Sequence, residues 1–526
     1  MIIDLKPDNN KTILQLLQEQ GIKIPADCGG TMRCGKCRVK VVSGDIPVTK
    51  EDMKFFSASK YLAGYRLACH AIPTGPITIE VEDPEEAKIL TGFEDWDSEL
   101  SAAEEGITIF KAVDPMSGEP LYASVDIGTT TIVTTVYDET GERVGIATSM
   151  NPQRVFGADV VTRIQTARSG RGPELRLLVI NAIKAGLCGI LERLQVMSER
   201  LLRIVIAGNT SMLHILRGFD CEGLATFPFT PVSVDYASEP AIVCFGNTFE
   251  NANVVFFPGV SAFVGADVVS GVYGEQLDKG TRPKLFMDMG TNGEMVLKTE
   301  NGLLCASASA GPAFEGGELS CGMAGMTGAV ESVRIVIDED KTPGVICRVI
   351  GGGKVKGLCG SGALELLSEL IKHGFVDEEG TLSEEYFDDG FPFAETEDGT
   401  VLAMTQLDIR SLQLAKSAIR ASAEMLLQIG EVEEPDIILA GGMGTFIDPE
   451  MMKGIGIFPA CNSITFAGNA VLKGLERYIN AVVEGKEDEA AKELKGIAAG
   501  TREVTVANEP QFQKLFLKYM DFGSGQ

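Results

Sequence analysis

The chain has 526 residues, and its 74 Asp and Glu outnumber 46 Lys and Arg for a formal net charge of −28. So acidic a surface argues against nucleic acid or an anionic membrane as partner, since both are recognised through clustered Lys and Arg, and it suits a partner with a basic docking face. The length predicts roughly three or four domains, the 44% of hydrophobic residues can fill several cores, and no apolar run approaches the ~20 residues of a membrane span.

At the N-terminus, residues 1–5 predict a strand, Thr12 to Gln20 a short helix, Arg38 to Val42 a second strand and Ile77 to Val81 a closing one. Between them Cys28, Cys34 and Cys37 stand as Cys-x5-Cys-x2-Cys, with Cys69 alone further on. Glycines at 29, 30 and 35 let the loop curl and leave backbone N–H groups free to point at sulfur. Zinc usually takes a second close cysteine pair, and disulfides need an oxidising compartment for which no signal peptide is present. The spacing resembles the loop and distant fourth ligand of [2Fe–2S] ferredoxins, one residue longer than the plant Cys-x4-Cys form. That resemblance implies a β-grasp domain over residues 1–82, a one-electron cluster on Cys28, Cys34, Cys37 and Cys69, and a cytoplasmic protein. The other eight cysteines are scattered and read as buried thiols.

An acidic stretch over 83–120 reads as a linker. Beyond it strands alternate with helices, the mark of α/β layers. Strands are expected at Ala123 to Ile127, Thr131 to Tyr137, Arg203 to Ala207, Val254 to Pro258, Leu285 to Met289, Glu294 to Lys298 and Asp436 to Leu439. Helices are expected at Leu175 to Leu194, Ala363 to His373 and Leu407 to Ile429. The organisation expected is a first lobe over 121–200 and a second over 201–526.

Two glycine-threonine loops each join one strand to the next: Asp126-Ile127-Gly128-Thr129-Thr130-Thr131 and Asp288-Met289-Gly290-Thr291-Asn292-Gly293. Thr and Asn side chains and bare N–H groups donate to phosphate oxygens, and each leading aspartate can hold Mg²⁺ through water. A third cluster, Ala440-Gly441-Gly442-Met443-Gly444, ends a buried strand and offers bare backbone to a flat purine. Gly360, in Gly357-Leu358-Cys359-Gly360-Ser361-Gly362, opens a helix and suits the ribose. There is no P-loop, and no dinucleotide fingerprint sits in the required βαβ setting. Gly-Ala-Asp-Val-Val occurs at 157–161 and at 265–269; Asp159 and Asp267 are equally open to structural and site roles. Gln413 and Lys416 read as nucleotide contacts or as an exposed helical face, and His214 as an ordinary helix residue.

Two Asp-x-Gly-Thr hairpins with a late Ala-Gly-Gly resemble the ASKHA group of actin, heat-shock chaperones and sugar kinases, with its duplicated ribonuclease-H-like core. Such a core behind a [2Fe–2S] domain resembles the reductive activators of corrinoid proteins, the RACo family. The residues 151–153, 156–159, 207–212, 258–259 and 265–267 add to the match. The resemblance implies ATP and Mg²⁺ as cofactors, Asp126 and Asp288 as catalytic residues, and a corrinoid protein of a methyltransferase system as partner, with the upstream donor open and a homodimer suggested. The implied activity is return of one electron to Co(II). Two alternatives stay open: an ATP-driven donor to another low-potential enzyme, and a small-molecule kinase carrying a redox-sensing domain.

Overall fold

The computed structural model describes residues 1–7, 11–20, 22, 24, 26, 29–30, 32, 35–44, 46–56, 58–81, 106–157, 159–290, 292–317, 319–338, 342–441 and 449–523. Cys28, Cys34, Thr291, Gly442 and the segment 82–105 lie outside the described residues.

At the N-terminus β1 (Ile2–Leu5), β2 (Arg38–Ser43), β3 (Tyr65–Leu67) and β4 (Ile77–Glu80) form a sheet in the order β1-β4-β2-β3. The helix Ile13–Glu19 starts at Thr12 because Thr12 and Gln15 cap each other reciprocally, each side chain accepting from the other's backbone N–H. Its Ile13, Leu14, Leu16 and Leu17 are buried against Leu5, Val39, Leu67 and Ile79, each fully buried side chain stabilising by ~1.5–3 kcal/mol.

The next sheet contains β5 (Ile107–Ile109), β6 (Leu121–Ile127), β7 (Thr131–Tyr137), β8 (Arg143–Met150), β9 (Leu201–Gly208), β10 (Ala237–Pro240) and β11 (Asn253–Phe256), in the order β10-β11-β9-β6-β7-β8-β5. The second lobe begins with β12 (Lys284–Met289), β13 (Gly293–Thr299) and β14 (Gly302–Ala308). An inserted sheet follows, made of β15 (Ala329–Ile337), β16 (Pro343–Val349) and β17 (Gly357–Leu358), and then the hairpin of β18 (Phe391–Glu395) and β19 (Val401–Met404). The chain returns through β20 (Asp436–Ala440), β21 (Ser463–Gly468) and β22 (Thr501–Glu503), giving the order β21-β20-β12-β13-β14-β22.

The two sheets share one core topology. Read as β8-β7-β6-β9-β11 and β14-β13-β12-β20-β21, both run 3-2-1-4-5. In both, strand 2 is antiparallel to its neighbours and strands 4 and 5 are parallel to strand 1. This topology corrects two expected boundaries. A division at 200/201 would cut the first sheet, because β9 pairs with β6 along its length and β11 with β9. The end of the expected 83–120 linker is also structured, since β5 pairs with β8.

The helices Ala266–Gly274 and Ala470–Val483, which follow the fifth strand of each sheet, cross at close range. A methyl carbon on Gly474 would sit 2.0 Å from Ser270 O, and Ser270 Oγ donates to Val471 O at 2.7 Å. Only glycine allows this approach of the two backbones. The second of these helices also packs on β6 and β9, so it joins the two lobes. Arg143 pairs with its Glu476 across the same boundary.

Candidate functional site

Strand 1 of each sheet ends in an aspartate and a glycine turn. In the first hairpin, Gly128 N donates to Thr131 O at 2.9 Å. Three side chains brace the turn from outside: Asn151 Nδ2 donates to Gly128 O at 2.9 Å, Arg163 Nη2 to Thr129 O at 2.6 Å and Asn209 Nδ2 to Thr129 Oγ1 at 3.1 Å. In the second, Gly290 N donates to Asn292 O at 3.0 Å, and Asp288 lies opposite Glu294 in the β12–β13 register. Thus Asp126, Gly128, Thr129, Thr130 and Thr131 form one turn, and Asp288, Gly290, Asn292 and Gly293 the other.

The two turns face a shared group of acids. Burial pushes the Asp126 carboxyl up to about 6, against the opposing donor Asn469, whose Nδ2 lies 3.0 Å from Asp126 Oδ2. Burial raises Asp267 to about 7, opposed by the Val268 N–H and reinforced by the charge of Asp126. Asp288 rises to about 7 through burial and the charges of Asp267 and Asp126. Glu294 is held well above the ordinary carboxylate range by burial, then by Asp267 and Asp288. Like charges in a low-dielectric cleft disfavour ionisation, and an entering cation reverses that. Among the described residues no three acidic, histidine or cysteine groups are placed to hold one ion directly.

Gly441 follows β20 beside the second hairpin. Its φ is +91°, and a methyl carbon on it would lie 2.5 Å from Met289 O and 2.7 Å from Asp288 Oδ1, so no side chain fits there. Gly360 is buried in the first turn of the helix Gly360–Lys372, which packs on β15 and on the helix Pro449–Ile455.

The structure separates the two Gly-Ala-Asp segments. Asp267 joins the carboxylate group, whereas Asp159 caps the helix Val160–Thr166 by accepting from Thr162 N at 2.7 Å. Gln413 and Lys416 are neither exposed nor turned to the aspartate hairpins. They lie buried beneath the C-terminal segment, donating to Met520 O and Asp521 O. His214 is a buried helix residue bonded to Thr210 O and Val232 N.

Arg163 and Asn469 escaped the sequence reading, while Glu294 was read only as a strand residue and Asn209 only as part of the 207–212 segment, neither with a site role. A signal existed for the asparagines: Ala-Gly-Asn stands at 207–209 and again at 467–469. Each asparagine caps the following helix through its side-chain oxygen and sends its amide to the first hairpin.

In the N-terminal unit, Ala68 N donates to Cys37 O at 2.8 Å, which brings Cys37 level with Cys69. Both cysteines are buried. A methyl carbon on Gly30 would come within 3.9 Å of Cys69 Cβ, so the glycine turn closes over the fourth cysteine. Two thiols under a turn of small residues fit an iron–sulfur cluster. Cys28 and Cys34, its other expected ligands, lie outside the described residues.

A cysteine-bearing β-grasp unit followed by two sheets of one topology, with paired aspartate hairpins, defines a ferredoxin joined to an ASKHA-type core. Family models cover nearly the whole chain: the 2Fe-2S iron–sulfur cluster binding domain over 4–74, the RACo middle region over 122–280, and the C-terminal ASKHA domain of RACo over 282–524. The chain belongs to the RACo family. It is 28% identical over 435 residues to the corrinoid activation enzyme RamQ of Eubacterium limosum, covering 77% of this chain and 71% of that one. It is 26% identical over 304 residues to the [Co(II) methylated amine-specific corrinoid protein] reductase of Methanosarcina barkeri, covering 52% and 55%. A solved structure, the reductive activator for corrinoid, iron–sulfur protein, superposes with a TM-score of 0.67 at 25% identity, covering 98% of this chain and 96% of that one. The family's lobe division near 281 agrees with the sheet topology.

Proposed function

We propose that this protein is an ATP-dependent reductive activator that returns one electron to the Co(II) of a corrinoid protein and restores Co(I) for methyl transfer. The observation that carries the reading is the meeting of both aspartate hairpins at one group of half-buried carboxylates, in a chain that also carries a ferredoxin domain. When bound on Cys28, Cys34, Cys37 and Cys69, a [2Fe–2S] cluster supplies electrons singly, at about −400 mV in plant-type ferredoxins. That is mild for Co(II), so coupling to ATP supplies the driving force.

Gly128 to Thr131 and Gly290 to Gly293 hold the phosphates from the two lobes. Gly441 and Gly442 accept the purine, and Gly360 borders the ribose. Asp126 and Asp288 would hold Mg²⁺ through its water, and the ion would offset the phosphate charge. Asp267, raised to about 7, is suited to take the proton of the attacking water. Asn469 fixes Asp126 from the second lobe, so closure of the lobes and placement of that carboxylate go together. ATP shifts the lobes only if it binds the closed state more tightly than the open one. The protein acts as a homodimer in the cytoplasm, with a basic face on its corrinoid partner meeting its acidic surface.

The test is anaerobic. Reduced protein is mixed with a Co(II) corrinoid protein and the visible spectrum followed with and without ATP. Co(I) should appear in the presence of ATP, and Cys69→Ser should abolish it. A spectrum that stays that of Co(II) under both conditions refutes the proposal. Phosphoryl transfer to a soluble acceptor, unaffected by Cys69→Ser, would favour the kinase alternative.

A further inference from the structure

One short segment of the first lobe touches both the ferredoxin unit and the first phosphate hairpin. On its outer side, Gln18 Nε2 donates to Val155 O at 2.8 Å. Gly29, the neighbour of Cys28 in sequence, lies against the same segment: a methyl carbon on it would stand 2.3 Å from Thr162 Cγ2 and 3.1 Å from Phe156 O. With φ at +59°, Gly29 is held where a side chain is both strained and obstructed. Gln18 and Gly29 therefore have a fitted seat formed by Val155, Phe156 and Thr162.

On its inner side the seat is tied to the hairpin through Arg163, which is fully buried. Its Nε donates to Gly157 O at 2.9 Å, its Nη1 to Gln153 Oε1 at 3.4 Å, and its Nη2 to Thr129 O at 2.6 Å. A planar guanidinium fixes three acceptors in one rigid geometry. Asn151 adds a parallel tie, since it caps the segment through Gln153 N and donates to Gly128 O. Phe156 is pinned from outside by the Arg171 guanidinium, 4.2 Å from the ring centre. The ferredoxin unit also meets the second lobe, where Lys60 lies 3.6 Å from Asp398, but an exposed pair of that kind contributes little.

We infer that Pro152 to Thr166 is a relay between nucleotide and cluster. Arg163 is its positioning residue, and the Val155–Thr162 surface is the docking seat of the chain's own cluster loop. Phosphate entering the first hairpin loads the Thr129 carbonyl, and Arg163 carries the displacement to Gly157 and the seat. The environment of the cluster thereby reports the nucleotide state. The inference rests on the reading of that hairpin as a phosphate seat and adds which surface senses it.

The test uses the full chain with its cluster, reduced anaerobically, and the non-hydrolysable ATP analogue AMPPNP with Mg²⁺. The readouts are the paramagnetic resonance spectrum and the midpoint potential of the cluster. Nucleotide should move both in the natural chain. Arg163→Met should lose this response while still binding nucleotide. Gln18→Ala, which touches neither the cysteines nor the hairpin, should keep its cluster content and its ATP hydrolysis and lose the response as well. If Arg163→Met does not fold, Gln18→Ala decides alone. Nucleotide that binds without moving either signal overturns the relay, and so does a Gln18→Ala protein that responds like the natural chain. Nucleotide that fails to bind overturns the phosphate reading and the relay together. No corrinoid enters the experiment, so a failure of the Co(II) assignment leaves this result standing.

Discussion

The two lobes carry the same five-strand core, yet their hairpins are built differently. The first is braced: Asn151, Arg163 and Asn209 hold its backbone and threonine, and Asn469 reaches across from the second lobe to its aspartate. The second has no such brace among the described residues. It carries instead a second acid, Glu294, opposite Asp288, and the bare backbone of Gly441 against it. A duplicated fold thus supplies one rigid, connected turn and one charge-rich turn, and the cleft between them combines position with electrostatics.

The largest effect should come from the charge-rich side. Asp288→Asn is expected to lower ATP hydrolysis by roughly two to three orders of magnitude, as removal of a centrally placed electrostatic group does, with the visible spectrum of the cluster unchanged. Asp126→Asn should cost less, because Asn469 can hold an amide oxygen in the same place. Equal losses in a steady-state assay would erase the distinction between the turns.

Next comes the cross-lobe donor. Asn469→Ala removes one hydrogen bond, worth about 1 kcal/mol net and more where a buried charge is left unpaired. Hydrolysis should fall roughly tenfold. The Asp126 carboxyl, already raised to about 6, should titrate higher, so the acidic limb of the pH–rate profile should move upward.

Two glycines sharpen the contrast between packing and access. Gly441→Ala puts a methyl group into Met289 O at positive φ and should lower stability by about 1–3 kcal/mol, visible as a reduced melting temperature. The nearest atom to a methyl carbon on Gly290 is Asn292 O at 3.9 Å. Gly290→Ala should therefore melt like the natural chain and lose nucleotide affinity, measured by calorimetry.

The smallest effect is one of pH. Asp126, Asp267 and Asp288 bind protons more tightly folded than unfolded, with values of about 6, 7 and 7 against an ordinary 3.8. Their contribution to stability is full below the ordinary value and is lost as pH rises through about 6 to 7. Without nucleotide the melting temperature should fall between pH about 4 and about 7, and Mg²⁺ with AMPPNP should flatten the slope. A flat profile without ligand would mean that the fold does not raise the three acids.

The elements that the sequence disclosed are those with local signals. β7 spans Thr131–Tyr137 as expected, and the helix Gln406–Gly430 lies within a residue of its expected ends because Thr405 and Asp408 cap it reciprocally. The aspartate-glycine turns were legible because their residue types are chosen by backbone geometry. The lobe boundary was not, since β9 and β11 join the first sheet through pairings fifty or more residues apart in sequence, and nothing in their composition says which sheet they enter. Gln413 and Lys416 misled for a similar reason. Helical spacing gives a face, but what covers that face is a C-terminal segment about a hundred residues away.

By itself the sequence determined the chemistry available to this protein: cysteines spaced for an iron–sulfur cluster, and aspartates and glycines spaced for two tight turns. Those are short-range facts, set by side-chain type and by φ preferences within a few residues. Only the tertiary structure decided which acids meet, that Asp267 joins them while Asp159 caps a helix, and that a buried arginine ties the first aspartate turn to the segment beside Gly29. Convergence of this kind depends on burial and on contacts between distant segments, which no local pattern encodes.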